Sequence, residues 1–144
     1  MSNRKIIVAY DGSPNSKKAL KFGGEIAKEI GAEVSLVSVV DNDFRVFNAE
    51  VVVPEFERMQ QALEDFGRKA LEGGAALARE MGLEVKTVLL TGHPAEALIN
   101  YGDKEKVYLI VVGSRGLGGF QSLMLGSVTQ HILSHSTIPV LVAR

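Results

Sequence analysis

Gly113, Gly116 and the pair Gly126-Ser127 are the residues of this 144-residue chain whose types and spacing point most directly to chemistry. The segment Val112-Gly113-Ser114-Arg115-Gly116-Leu117-Gly118-Gly119-Phe120 follows the most apolar run, Val107 to Val112, and Gly126-Ser127 opens an apolar-periodic stretch from Val128 to Leu133. A buried strand that empties into glycines and then into a helix start is suited to holding an anion. Glycine lets the backbone approach a ligand with no Cβ in the way, and successive backbone N–H groups form an anion-binding concavity. The helix start adds unpaired donors and the positive end of its dipole. Phosphate is the obvious guest. No Gly-Lys-Ser/Thr follows the glycines, so this is not a P-loop. A dinucleotide fingerprint would lie after the first strand, where only Gly12 stands. The plain alternative is a flexible surface loop.

Around these glycines stand several polar candidates. Arg115 is able to grip phosphate oxygens in a bidentate fashion, or is simply a solvated arginine. Ser127 offers an N–H and a hydroxyl, but Ser127-x-x-Gln130 is also a capping-box pattern, with Ser127 as the expected N-cap. Val128 contributes a backbone N–H. Asp11, after the first strand, would repel a polyanion unless it acts through Mg²⁺ or water, or bonds to ribose or base; otherwise it is a turn aspartate. His131 and His135 have metal-compatible i, i+4 spacing, but no third ligand and no adjacent glutamate accompany them, and His93 reads as a turn residue. No Ser-His-Asp order is defensible. Phosphoryl transfer needs metal, a positioned nucleophile and charge clamps. Only part of that set is visible, so no catalytic residue is assigned.

The arrangement Gly113-x-x-Gly116, nine residues, then Gly126-Ser127 resembles the ATP-binding signature of the universal stress protein family. Ile6-Ile7-Val8-Ala9-Tyr10-Asp11-Gly12-Ser13 is similar to that family's opening strand and loop, and Ile138-Pro139-Val140-Leu141-Val142 to its closing strand. The likeness covers nearly the whole chain. It implies a Rossmann-like, adenine nucleotide alpha hydrolase-like fold that binds ATP with Mg²⁺, hydrolysed slowly or not at all, in a regulatory role. It also implies that Ala9 and Val39 line an adenine pocket, with Val112, Gly113, Arg115, Gly116, Gly126, Ser127 and Val128 around the phosphates. The main rival is an ATP-hydrolysing or adenylyl-transferring enzyme of a related α/β fold, which would need further acids or a substrate domain. A receiver domain needs an acceptor aspartate where Leu89-Leu90-Thr91-Gly92 stands, and a flavodoxin-like carrier needs a richer loop than Asp11-Gly12-Ser13-Pro14.

The elements that must position these residues follow from periodicity. Continuous apolar runs at Lys5–Tyr10 and Val107–Val112 predict central buried strands. Glu33–Val40, Glu84–Leu90 and Pro139–Ala143 predict three more, the Glu84–Leu90 strand polar enough for a sheet edge. Helices are expected after Ser13-Pro14 (an N-cap and first-turn pair), from Pro54 to Met81, briefly around Ala95–Ile99, and from Gly126 to about Ser136. Phe56, Met59, Leu63, Phe66, Ala70, Leu77 and Met81 are read as a core-facing stripe; their heptad-like spacing is given less weight. Phe44–Val53 is read as a loop that packs on something.

Alternating strands and helices predict a three-layer α/β domain spanning 1–144, with a five-stranded parallel sheet in the order 3-2-1-4-5. That order reverses the chain between the first and fourth strands, where open sheets bind ligands. It also leaves Ile138–Ala143, apolar on both faces, at an edge, which predicts antiparallel self-pairing into a homodimer. The resemblance implies the same. Net charge is −1, which gives no basic field for nucleic acid. The lack of cysteine and of a leader-like apolar segment fits a cytoplasmic protein, and no run approaches membrane-spanning length.

Overall fold

Ile6, Ile7 and Val8 form the centre of β1 (Lys5–Ala9) and are fully buried. Successive strand residues point to opposite faces, so a strand buried throughout needs cover on both. The computed structural model, which describes residues 4–41, 53–115 and 125–144, provides it. The strands β1, β2 (Glu33–Val40), β3 (Val85–Thr91), β4 (Leu109–Gly113) and β5 (Val140–Ala143) form one sheet in the order β3-β2-β1-β4-β5. Every neighbouring pair is parallel. Helices α1 (Pro14–Ile30) and α2 (Val53–Glu80) cover one face, where Ile6, Val8, Leu20, Leu36, Leu71 and Val111 pack together. Helices α3 (Pro94–Lys104) and α4 (Ser127–His135) cover the other, over Ile7, Val37, Leu98, Ile110, Val112 and Ile132. The expected three-layer architecture and strand order are both present. Lys86 and Thr87 of the edge strand β3 are exposed, as its polar pattern requires.

Local signals act where the sequence places them. Ser13 Oγ accepts from Ser16 N–H at 3.2 Å and caps α1, and Gly31 ends it at φ +69° in the left-handed region. Three expectations change. The fourth ladder starts at Leu109, two residues later than expected, because the Val107 N–H is taken by Gly102 O at 2.9 Å, closing α3. The short third helix extends to Lys104, with Gly102 in its interior because a Cβ there would lie 2.9 Å from Ile138 Cδ1.

The third change concerns α2. Its sheet-facing residues are Gly67, Leu71, Gly74 and Ala78, all buried. A Cβ on Gly67 would meet Leu89 Cδ1 at 2.7 Å, and one on Gly74 would meet Tyr10 Cε1 at 2.8 Å. The small residues let the helix axis approach the sheet. Of the expected core stripe, Met59, Leu63 and Phe66 are instead 40%, 37% and 55% exposed. The Phe44–Val53 loop falls outside the described residues except for Val53, the first residue of α2. Among the described residues, no helix is long and apolar enough to cross a membrane.

Candidate functional site

β1 and β4 are adjacent but connect to opposite sides of the sheet, so the segments leaving their carboxyl ends diverge and open a crevice. On the β1 side the chain is locked by short hydrogen bonds. Tyr10 N–H donates to Val37 O at 2.8 Å, Ser13 N–H to Asp11 Oδ1 at 2.8 Å, and Ser16 Oγ–H to Ser13 O at 2.9 Å. Gly12 makes the turn at φ +84°. The Asp11 carboxylate thus holds the turn, and the residue also lines the crevice. Tyr10 is 3% exposed beneath this turn. Burial first, and then the negative charge of Asp11, push its phenol above the usual tyrosine range, so it stays neutral.

On the β4 side, Ser114 is a clamp. Its N–H donates to Ala143 O at 2.9 Å, and its carbonyl accepts from Gly126 N–H at 2.7 Å. Thr129 Oγ1 donates to Gly113 O at 2.8 Å. The two ends of the glycine-rich segment, at Ser114 and Gly126, are thus joined to one another. Gly116 and Leu117 to Phe120 lie outside the described residues.

This clamp overturns the capping-box expectation. Gly126, not Ser127, is the N-cap of α4, and Ser127 is its first helical residue. Gln130 does not reach back to the N-cap N–H, which Ser114 O already holds. Its side chain instead donates to Leu125 O at 2.9 Å. The result is a helix start with no side-chain cap, whose first residues, Ser127 and Val128, line the crevice; first-turn N–H groups have no intrahelical partner. Gly113 also has a packing role. It does not need a glycine φ; a Cβ there would lie 2.8 Å from the Asn15 carbonyl carbon and 2.9 Å from its oxygen. The glycine lets the end of β4 touch the first turn of α1.

The resulting cavity has a volume of about 470 Å³, within the range of small-molecule sites. Nine of the ten candidate residues line it: Ala9, Asp11, Val39, Val112, Gly113, Arg115, Gly126, Ser127 and Val128. Ala9, Val39 and Val112 form an apolar slot on the α3/α4 face, and the polar groups gather at the α1 and α4 starts. The structure adds Tyr10, Ser13, Ser16 and Thr129 to the polar end, Val37 and Ser38 from β2, and Pro94 and Leu98 as a third wall from α3. A usable signal for that wall was the turn Thr91-Gly92-His93-Pro94, because a segment following a parallel strand emerges at the same edge as the other loops.

The histidines lie beside this wall rather than in the cavity lining. The His131 ring centroid is 4.3 Å from that of His135 and 5.3 Å from that of His93. His135 Nδ1 bonds His131 O at 3.0 Å. Among the described residues, no group of three His, Asp or Glu side chains is arranged to hold a metal.

A doubly wound parallel sheet whose α4 start lacks a side-chain cap beside the switch point is an α/β arrangement that places a ligand crevice at the strands' carboxyl ends. Comparison with known proteins makes the class specific. The model of the universal stress protein family matches residues 2–144, and the chain belongs to that family. It is 37% identical to the universal stress protein YxiE of Bacillus subtilis (strain 168), over 97% of this chain and 98% of that one. Its fold superposes on the universal stress protein UspA from Lactobacillus plantarum with a TM-score of 0.88 at 21% identity, covering 100% of this chain and 99% of the other. A universal stress protein solved in complex with cAMP aligns with a TM-score of 0.73 at 25% identity, covering 100% of this chain and 99% of that one.

Proposed function

We propose that this protein binds ATP together with Mg²⁺ in the β1/β4 crevice and turns it over slowly or not at all, as a regulatory protein. The observation that carries this reading is the start of α4. Gly126 has no side chain, no side chain caps the helix, and the Ser127 and Val128 N–H groups face a cavity of nucleotide size. The cAMP bound by a relative supports an adenine nucleotide as the ligand class. The base would occupy the slot of Ala9, Val39 and Val112, reading backbone groups, and the phosphates would lie at α4 beside Arg115. Mg²⁺ is usually held by one or two carboxylates together with substrate phosphates. Asp11, the one acid lining the cavity among the described residues, fits that demand. The ion would neutralise the phosphates that Asp11 alone would repel. Among the described residues, no histidine and no acid besides Asp11 lines the cavity, which favours slow turnover.

Titration calorimetry tests the reading. ATP should bind, more tightly with Mg²⁺ than with excess chelator, and the Mg²⁺ dependence should disappear in Asp11→Asn. Turnover should stay below about 1 s⁻¹, the lower end of ordinary enzyme rates. No heat with ATP, and no competition against a fluorescent ATP analogue, would remove the proposal.

The last strand carries a second expectation, self-pairing into a homodimer. Among the described residues β5 pairs with β4 alone, and Val140, Leu141 and Val142 are partly exposed. The register decides which residue tests it. Val111 opposes Leu141, Ile110 N–H donates to Pro139 O, and Ser114 N–H donates to Ala143 O. Parallel ladders alternate, so Leu141 spends its N–H on β4 while Val140 and Val142 point theirs outward. Leu141→Pro would therefore damage the subunit's own sheet. Val142→Pro removes an outward donor instead and should halve the mass seen by light scattering with an unchanged circular dichroism spectrum. An unaltered mass would place the interface elsewhere.

A further inference from the structure

The carboxyl ends of β2 and β3 are where α2 loses its support. Gly67 lies against Leu89, Ser38 and Val40, close to those ends, and α2 contacts the sheet from there towards its own carboxyl terminus. Residues 53–66, about 20 Å of helix, project past the strands. On this arm Phe56, Met59, Leu63 and Phe66 follow the 3-4-3 spacing of a heptad's a and d positions, which Ala70 and Leu77 continue. In the half of α2 over the sheet, the b and e positions Leu71, Gly67 and Gly74 take the core contacts. On the amino-terminal half, Met59, Leu63 and Phe66 of the a/d seam are exposed and Phe56 is half-buried. A seam of this spacing is built to receive a helix.

We propose that the occupant is the same arm of a second copy of this chain, packed antiparallel about a two-fold axis. Charge complementarity at the flanks selects both partner and direction. In an antiparallel pair, a positions layer against d positions, and g positions face g positions. Met59 then meets Leu63 of the second copy, and Phe66 meets its Phe56. At the g flank, Ala62 faces its own symmetry mate, and Glu55 faces Lys69 of the second copy at both ends of the interface. Glu55 and Lys69 are both exposed. At the e flank, uncharged Gln60 faces its own mate. No like charges oppose each other. In a parallel pair, g positions face e positions, so Glu55 would face Gln60, and Lys69 would face Gly74, with no ion pair formed. At the arm's carboxyl end, Arg68 pairs with Glu64 and Asp65, at 3.7 and 3.6 Å.

Two heptads are too short for an isolated coiled coil. This arm is the extension of a helix already ordered by the sheet, so association does not have to order it. The interface is separate from β5 and independent of the nucleotide reading.

Light scattering at micromolar concentrations tests the proposal on the intact chain. Leu63→Glu with Phe66→Glu should halve the wild-type mass with an unchanged circular dichroism spectrum, since both side chains are exposed. Glu55→Lys should raise the dissociation constant about tenfold by placing like charges at both ends, and Glu55→Lys with Lys69→Glu should restore it. A monomeric wild type, or a mass indifferent to the two glutamates, overturns the proposal. Failure of the double charge reversal to rescue overturns the antiparallel pairing, and a mass above the monomer's that is reached only with a co-purifying helical protein bound overturns self-pairing and assigns the seam to that partner.

Discussion

Gly126→Val is expected to weaken adenine-nucleotide binding by at least about a hundredfold while the domain stays folded. Gly126 sits at φ −66° and ψ 158°, extended backbone open to any residue. A Cβ there would approach Arg115 Cα and Ser114 O at 3.4 Å, close but tolerable. Its core neighbours do not depend on the glycine, and a valine N-cap in its place costs at most about 1 kcal/mol. The valine methyls, however, would stand at the mouth of the first turn of α4, where the Ser127 and Val128 N–H groups face the crevice. A hydrogen bond to a charged group contributes about 1.5–3 kcal/mol, so losing two such bonds amounts to a hundredfold or more. Calorimetry beside a thermal melt separates the outcomes. Alanine at the same position should lose less, because it lacks the branch. A native melt with wild-type affinity for Gly126→Val would move the phosphates away from α4.

Gly113→Ala is expected to do the reverse, destabilising the protein first and affecting binding as a consequence. Its Cβ would lie 2.8 Å from the carbonyl carbon and Cβ of Asn15. The obstacle is backbone in the first turn of α1, which cannot rotate away as a side chain could. Overpacking of this kind costs about 1–3 kcal/mol, a large share of the ~5–15 kcal/mol that holds a domain. A melting temperature lowered by several degrees is expected. Because Asp11 and Ser13 lead into α1 and Ser16 lies in its first turn, the affinity should fall too, by less than for Gly126→Val. A melt identical to wild type would mean that the α1 start gives way freely.

The two glycines look alike in the sequence, where both belong to one loop pattern. They differ because one is pressed against another element and the other faces a void. Most of what this chain is could be read before folding. Apolar runs at Ile6–Ala9 and Val107–Val112 marked the central strands, the polar run at Glu84–Leu90 marked the edge, and their contrast set the strand order. That order alone brings Asp11 and Gly113 to one crevice. Nine candidate residues share the cavity because strand ends and the loops after them are local features, and parallel strands gather those ends on one side.

Other features depend on where distant backbone lies. The Ser127-x-x-Gln130 pattern did not become a capping box because Ser114 O took the Gly126 N–H. Leu141 could not be told from Val142 until the β4 register showed which one faces outward. The α3 wall, with Pro94 and Leu98, is set by a helix crossing above the sheet. The apolar stripe of α2 has one period from Phe56 to Leu77, and periodicity marked it as a face that seeks cover. Only the length of β2 and β3 decided that the sheet covers its second half and leaves Met59, Leu63 and Phe66 outside. Hydrophobic spacing is a property of a few adjacent turns, whereas burial depends on whether another element reaches that far.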